Sequence, residues 1–130
     1  MKASKVEQIY LQTENKVGKL EEVTNLIKAG GVNITAISAY AVGDKGFFKL
    51  ITSDSAKTKE VLKNQGHIES KEVIILELFD EVGILNEVAL KLKEADIDIS
   101  NIYGTVPSAG GSANIIINSN NNDKILEIMS

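Results

Sequence analysis

Cysteine is absent from this 130-residue chain, which excludes a disulfide framework, a thiolate metal site and a cysteine nucleophile, and fits a reducing cytoplasm. Arginine is absent as well, since all 14 basic side chains are lysine. Without the guanidinium fork that grips carboxylates and phosphates at two points, an anionic ligand must rely on backbone N–H groups or on lysine. Histidine occurs once, at His67, with no adjacent serine or metal-ligand pattern, so neither a nucleophile–base pair nor a histidine metal site can be built from it. A non-enzyme without metal or cofactor is expected. No apolar run approaches the roughly 20 residues that span a membrane. The start, Met1-Lys2-Ala3-Ser4-Lys5, carries no apolar signal region, so a cytoplasmic protein with no membrane partner is expected.

What is present describes a well-packed globule: 43% hydrophobic and 25% charged residues, with a single proline. Eighteen carboxylates outweigh 14 lysines for a net charge of -4. No basic stripe is available for nucleic acid.

The strongest internal signal is a repeat. Asn15-Lys16-Val17-Gly18-Lys19-Leu20 aligns with Asp80-Glu81-Val82-Gly83-Ile84-Leu85 at an offset of 65 residues. The same register sets Val23 on Val88, Ile27 on Leu92, Val32 on Ile97, Asn33 on Asp98, Ile34 on Ile99 and Ile37 on Ile102. Matched glycines together with matched apolar positions indicate duplication, and two modules are expected, residues 1–70 and 71–130.

Each copy reads as β-α-β-β-α. Val6 to Leu11 and Val73 to Phe79 have strand length and β-rich composition. Leu20, Val23, Leu26 and Ile27 recur at helical spacing and stop at Gly30-Gly31, and Leu85, Val88, Ala89, Leu92 and Ala95 repeat the pattern. Ile34 to Val42 and Phe47 to Thr52 form a hairpin around residues 43–46, and Ile99 to Val106 pairs with Ala113 to Asn118 across Pro107-Ser108-Ala109-Gly110-Gly111. These glycine-rich tips read as turns, because neither has a phosphate-loop or dinucleotide fingerprint. Ser53-Asp54-Ser55 caps a second helix carrying Val61 and Leu62 and closed by Gly66, and Asn120 to Asp123 plays the same part before Ile125 to Met129. His67-Ile68-Glu69-Ser70 is a fourth strand in the first copy only. The expected fold class is α+β, two ferredoxin-like split-βαβ modules with helices on one face of an antiparallel sheet, the second lacking its last strand. Apolar residues on both strand faces call for cover on both, by module packing or by a homodimer.

These segments resemble the ACT domain family, regulatory modules of amino-acid metabolism. The resemblance rests on Thr13 to Leu20 with Gly31-Val32-Asn33-Ile34, and on Phe79 to Leu85 with Ala95 to Ile99, and extends over about residues 6–129. The family pattern often has proline before the glycine, where Val17 and Val82 stand here. Tandem stand-alone ACT proteins, including ones likened to the small regulatory subunit of acetolactate synthase, are similar. The resemblance implies a non-catalytic protein that binds a free amino acid at the strand-one to helix-one loops and the start of strand two. Carried over position by position, it points to Thr13, Asn15, Val17, Gly18, Leu20, Asn33 and Ile34, and to Asp80, Val82, Gly83, Leu85, Asp98 and Ile99. It also implies an alternative, docking on a biosynthetic enzyme such as acetolactate synthase.

Elementary chemistry agrees with that location. Glycine at a strand-to-helix corner lets a ligand or backbone approach closely, and the first-turn N–H groups with the positive dipole end suit a carboxylate. The Asn15 and Asn33 amides can both donate and accept. Asp80 and Asp98 favour an ammonium and repel a carboxylate, so the second site is expected to be altered or empty. Turn capping is the competing role for all four. A ferredoxin-like sheet can also stack RNA bases, here on Tyr40, Phe47, Phe48 and Tyr103, but the acidic balance and missing arginine oppose it.

Overall fold

A computed structural model describes residues 1–105 and 110–129; Val106, Pro107, Ser108 and Ala109 of the expected second hairpin lie outside the described residues. The elements run β1 (Lys2–Glu14), α1 (Lys19–Ala29), β2 (Ile34–Val42), β3 (Lys45–Thr52), α2 (Ser55–Leu62), β4 (His67–Phe79), α3 (Ile84–Glu94), β5 (Ile99–Thr105), β6 (Ser112–Ser119) and α4 (Asn122–Met129). They form two compact units, residues 7–71 and residues 72–130 joined by residues 1–6.

In the unit of residues 7–71 the strands lie in the order β2-β3-β1-β4. Alternation along β1 sends Ile9 and Leu11 to one face, where they meet Val23 and Ile27 of α1, Phe48 and Leu50 of β3, and Leu62 of α2. Helix α1 is amphipathic for this reason, and a left-handed Gly31 stops it, with Val32 N–H returning to the Ile27 carbonyl at 3.2 Å. Helix α2 starts on Asp54, whose carboxylate accepts from Lys57 N–H at 3.0 Å. It ends at Leu62 with Lys63 as its C-cap rather than at Gly66. Gly66 has a different duty: a Cβ there would sit 1.9 Å from the Gln12 carbonyl oxygen, so only glycine lets the chain pass into β4 beside β1.

The other unit has the order β1-β4-β6-β5, with residues 1–6 supplying β1. Its core joins Ile74, Leu76 and Leu78 of β4, Val88 and Leu92 of α3, Ala113 and Ile117 of β6, and Ile125 and Met129 of α4, with Ala3 packed against them. Residues 1–6, expected at the head of the first module, thus fill the place of the strand that the second copy lacks. They were illegible as a strand because Lys2, Ser4 and Lys5 are exposed and show no apolar alternation. Lys5 ties this segment down through ion pairs with Asp123 and with Glu72, the latter at 3.3 Å. The segments His67 to Ser70 and Val73 to Phe79, expected as separate strands, are one, since β4 runs unbroken through exposed Lys71 and Glu72, where the two units meet in sequence.

Duplication is visible in detail. Both second strands carry a bulge at the same point, between Ile34 and Ala36 and between Ile99 and Asn101. Beside it, Thr35 Oγ1 donates to the Ile51 carbonyl at 2.9 Å, and Ser100 Oγ to the Asn118 carbonyl at 3.2 Å. Beyond the hairpins the offset grows, because Ile9 faces Leu50 whereas Ile74 faces Ile117.

Candidate functional site

In the first unit β1 ends at Glu14 and the chain turns into α1 through Gly18, held at φ 91. A Cβ on Gly18 would meet nothing within 4 Å. The glycine is therefore required by its left-handed backbone, not by close approach of another part of the protein, and the space beside it is open. No side chain caps this helix end; Lys19 N–H turns back to the Lys16 carbonyl at 3.2 Å, which leaves the Leu20 and Glu21 N–H groups at the positive end of the helix dipole to meet a ligand.

A cleft of about 290 Å³ lies over this corner, at the lower end of the roughly 300–1,000 Å³ typical of small-ligand sites. Thr13, Asn15, Gly18 and Leu20 line it, as does a set the sequence reading passed over: Lys16, Lys19, Ala39, Ala41 and Gly46 among them. Strand pairing brings the latter in, since Ala41 faces Gly46 and Thr13 faces Gly46 from the other side. Small residues at the end of β2 and the start of β3 leave the floor low. Lys16 and Lys19 could have been found from the corner motif itself, as the cations that a chain without arginine must use.

Lys19 is buried, with its Nζ 3.1 Å from Gln65 Oε1 and 3.2 Å from Glu22 Oε2. The hydrogen bond from Lys19 holds the Glu22 carboxyl below the usual carboxylate range. Lys16 is exposed and reaches Glu14 at 3.3 Å, a surface pair that is readily exchanged for another anion. Asn15 is tied to the hairpin tip: its N–H donates to the Asp44 carbonyl at 2.9 Å and its Nδ2 to the Gly43 carbonyl at 3.1 Å. Val17 stands fully exposed at the tip of the corner.

Asn33 and Ile34 do not join this cleft within the unit. They stand at the opposite end of α1, an 11-residue helix that spans about 16 Å at its usual rise, farther than one amino acid reaches. There Asn33 N–H donates to Ser53 Oγ at 3.0 Å and its carbonyl accepts from Ser53 N–H at 2.9 Å. The Asn33 backbone thus closes the mouth of the β2–β3 pair.

The second corner repeats this plan with other chemistry. Gly83 sits at φ 86 with open space at its Cβ and no side-chain cap on α3. Val82 is fully exposed and Leu85 is 55% exposed, against 54% for Leu20. Asp80 N–H donates to the Gly111 carbonyl at 2.8 Å, and Asp80 Oδ2 accepts from Gly110 N–H at 3.2 Å. Asp98 and Ile99 again lie at the far end of the helix, where Asp98 N–H donates to Asn120 Oδ1 at 3.0 Å. Lys16 and Lys19 are replaced by Glu81 and Ile84.

Two helix-on-sheet units, each with an open glycine corner, are the plan of a class of small regulatory domain. The chain belongs to the ACT domain pair family, whose model matches residues 4–130; ACT domains are regulatory domains for small ligands. Among solved structures, it is similar to a Bacteroides thetaiotaomicron protein at 28% identity, over 97% of this chain and 87% of that one, with a TM-score of 0.87. It shares its fold with the regulatory subunit of aspartate kinase from Thermus thermophilus, at 12% identity over 99% and 95% of the two chains and a TM-score of 0.71. The fold recurs in aspartokinase alpha and beta subunits, at 14% identity over 99% and 92% and a TM-score of 0.66. No curated protein matches the sequence. Among the described residues no helix is long and apolar enough to cross a membrane.

Proposed function

We propose that this chain is a non-catalytic regulatory protein that binds a free amino acid, or a small ligand like it, at the corner formed by Thr13, Asn15, Lys16, Gly18 and Leu20. The observation that carries the reading is the open cleft over an uncapped helix start with an exposed lysine beside it. First-turn N–H groups of α1 and the Lys16 ammonium take the carboxylate, and the Asn15 Oδ1 is the acceptor for the ammonium. Asn33, Ile34, Asp98 and Ile99 are left out of this first-corner contact, since each stands a helix length from its own unit's corner.

A thermal-shift screen against the standard amino acids tests this. A ligand at 100 times its dissociation constant stabilises a protein by about 2.7 kcal/mol, so one or a few amino acids should raise the melting temperature clearly. Lys16→Glu, which writes the second copy's residue into the first, should remove the shift without unfolding an exposed position. A full shift retained by Lys16→Glu places the ligand elsewhere.

Docking on a biosynthetic enzyme is the second reading, favoured by the apolar side chains of Val17, Leu20, Val82 and Leu85 that stand exposed at both corners. A homodimer would bury the same surface. Sedimentation of the chain alone and with a candidate enzyme separates the two: Val17→Asp together with Val82→Asp should dissociate whichever complex uses these corners.

A further inference from the structure

The sheet of residues 7–71 has a second cleft on the face that turns away from α1 and α2. Because Ile9, Leu11, Phe48 and Leu50 point into the core, alternation puts Tyr10, Gln12, Phe47 and Lys49 on this other face. The cleft measures about 170 Å³ and is lined by those four residues with Tyr40, His67 and Glu69. Tyr40 and Phe47 are cross-strand partners whose rings stack with centroids 5.2 Å apart and planes 19° from parallel.

Its cations stand apart from its carboxylate. Lys49 is half-buried with its Nζ 5.4 Å over the Tyr40 ring, and Lys71 holds its Nζ 5.6 Å over the Tyr10 ring. Neither appears in the ion pairs formed among the described residues. Glu69, the carboxylate that lines the cleft, keeps its negative charge but hydrogen-bonds His67 Nε2 at 3.1 Å and pairs with neither lysine. Two cations thus lean on aromatic rings where a carboxylate would ordinarily stand. Burial, and after it the neighbouring Lys71 charge, pushes the Lys49 ammonium below the usual lysine range, which is the response of a cation short of a counter-ion.

We propose that this cleft binds a single-ring aromatic carboxylate, its ring packed against the Tyr40–Phe47 pair and its carboxylate set on Lys49 within the field of Lys71. Size supports one ring: a cavity of about 150 Å³ accommodates benzene. A neutral ring leaves the cations unmatched, and a simple anion leaves the aromatic wall uncovered, so both halves of the ligand are needed. Tyr40 and Phe48 border both this cleft and the corner cleft, but the cations differ, Lys49 here and Lys16 and Lys19 at the corner.

The test is an amide-resolved NMR titration of the full chain with sodium benzoate, benzamide and sodium acetate. Benzoate should move Tyr10, Gln12, Phe47 and Lys49 saturably, and benzamide and acetate should each bind about tenfold more weakly or worse, a loss of one charge or one ring contact. Lys49→Met should weaken benzoate by about the same factor with melting temperature kept or raised; Lys71→Met, at an exposed position, provides a smaller loss should Lys49→Met fail to fold. The proposal is overturned by benzamide binding as tightly as benzoate, or by no saturable shifts at these residues. It is equally overturned by shifts there that follow protein concentration instead of benzoate, which would give the face to a second copy of the chain.

Discussion

At Gly18 and at Gly83 the chain turns from strand to helix through nearly identical backbones, φ 91 and φ 86, with a fully exposed valine before each glycine and a half-exposed leucine two residues after. The charges around those backbones are opposite. Lys16 and Lys19 flank the first glycine, whereas Asp80 and Glu81 precede the second. Even the shared bond to the hairpin tip is reversed, with Asn15 donating to the Gly43 carbonyl and Asp80 accepting from Gly110 N–H. Duplication has kept the geometry that makes a corner and let the chemistry that would select a ligand diverge. The dipole at an uncapped helix start favours an anion in both places, but two carboxylates oppose it at the second.

The largest effects come from breaking the two cores separately. Leu11 and Leu76 occupy equivalent, fully buried positions, so Leu11→Ala and Leu76→Ala should each cost roughly 2–5 kcal/mol. Amide exchange should rise mainly across residues 7–71 for the first and across residues 1–6 and 72–130 for the second; uniform loosening in both would merge the units into one cooperative body. Next come the corners themselves. Gly18→Ala and Gly83→Ala meet no steric obstacle but force alanine into the left-handed region, at about 1–2 kcal/mol each by chemical denaturation. Equal costs are expected, and a markedly larger one at Gly18 would show a contact unique to that corner.

A smaller effect sits at the helix ends. Gly31 adopts φ 74 after α1, whereas Asp96 adopts φ 55 after α3. Asp96→Gly should therefore stabilise the chain by about 0.5–1 kcal/mol, and a loss would mean that the Asp96 carboxylate does something Gly31 does not.

The smallest effects divide by pH. Glu7, bonded by Lys59 at 2.8 Å and also by Ser70, titrates below the usual carboxylate range. Its contribution to residues 7–71 is present above the ordinary glutamate value and is lost as pH falls through the lowered one. Lys5, bonded by Asp123 and Glu72, titrates above the usual lysine range, so its contribution to the other unit is full below the ordinary lysine value and is lost as pH rises through the raised one. Glu7→Gln should flatten the acid limb of the stability curve and Lys5→Met the alkaline limb, each slightly, since these groups are solvated.

Much of this was legible in the sequence. The matched glycines, the helical spacing of Val23, Ile27, Val88 and Leu92, and the capping by Asp54 are local signals, and local signals survive in one dimension. Residues 1–6 were not legible, because their pairing partner is far along the chain and their polar edge carries no period. The same limit applies at the site. Gly18, Asn15 and Thr13 were found from a motif, but Ala39, Ala41 and Gly46 enter only through strand register, and Asn33 was grouped with Asn15 although a whole helix separates them.

The most direct measurement follows the first-turn amides of α1 and α3 by NMR while the amino acid that gives the largest thermal shift is added. Saturable movement of the Leu20 and Glu21 N–H signals, with those of Leu85 and Asn86 left in place, is the expected result. Movement at neither corner, or the same movement at both, would contradict the claim that one conserved backbone now carries two different chemistries.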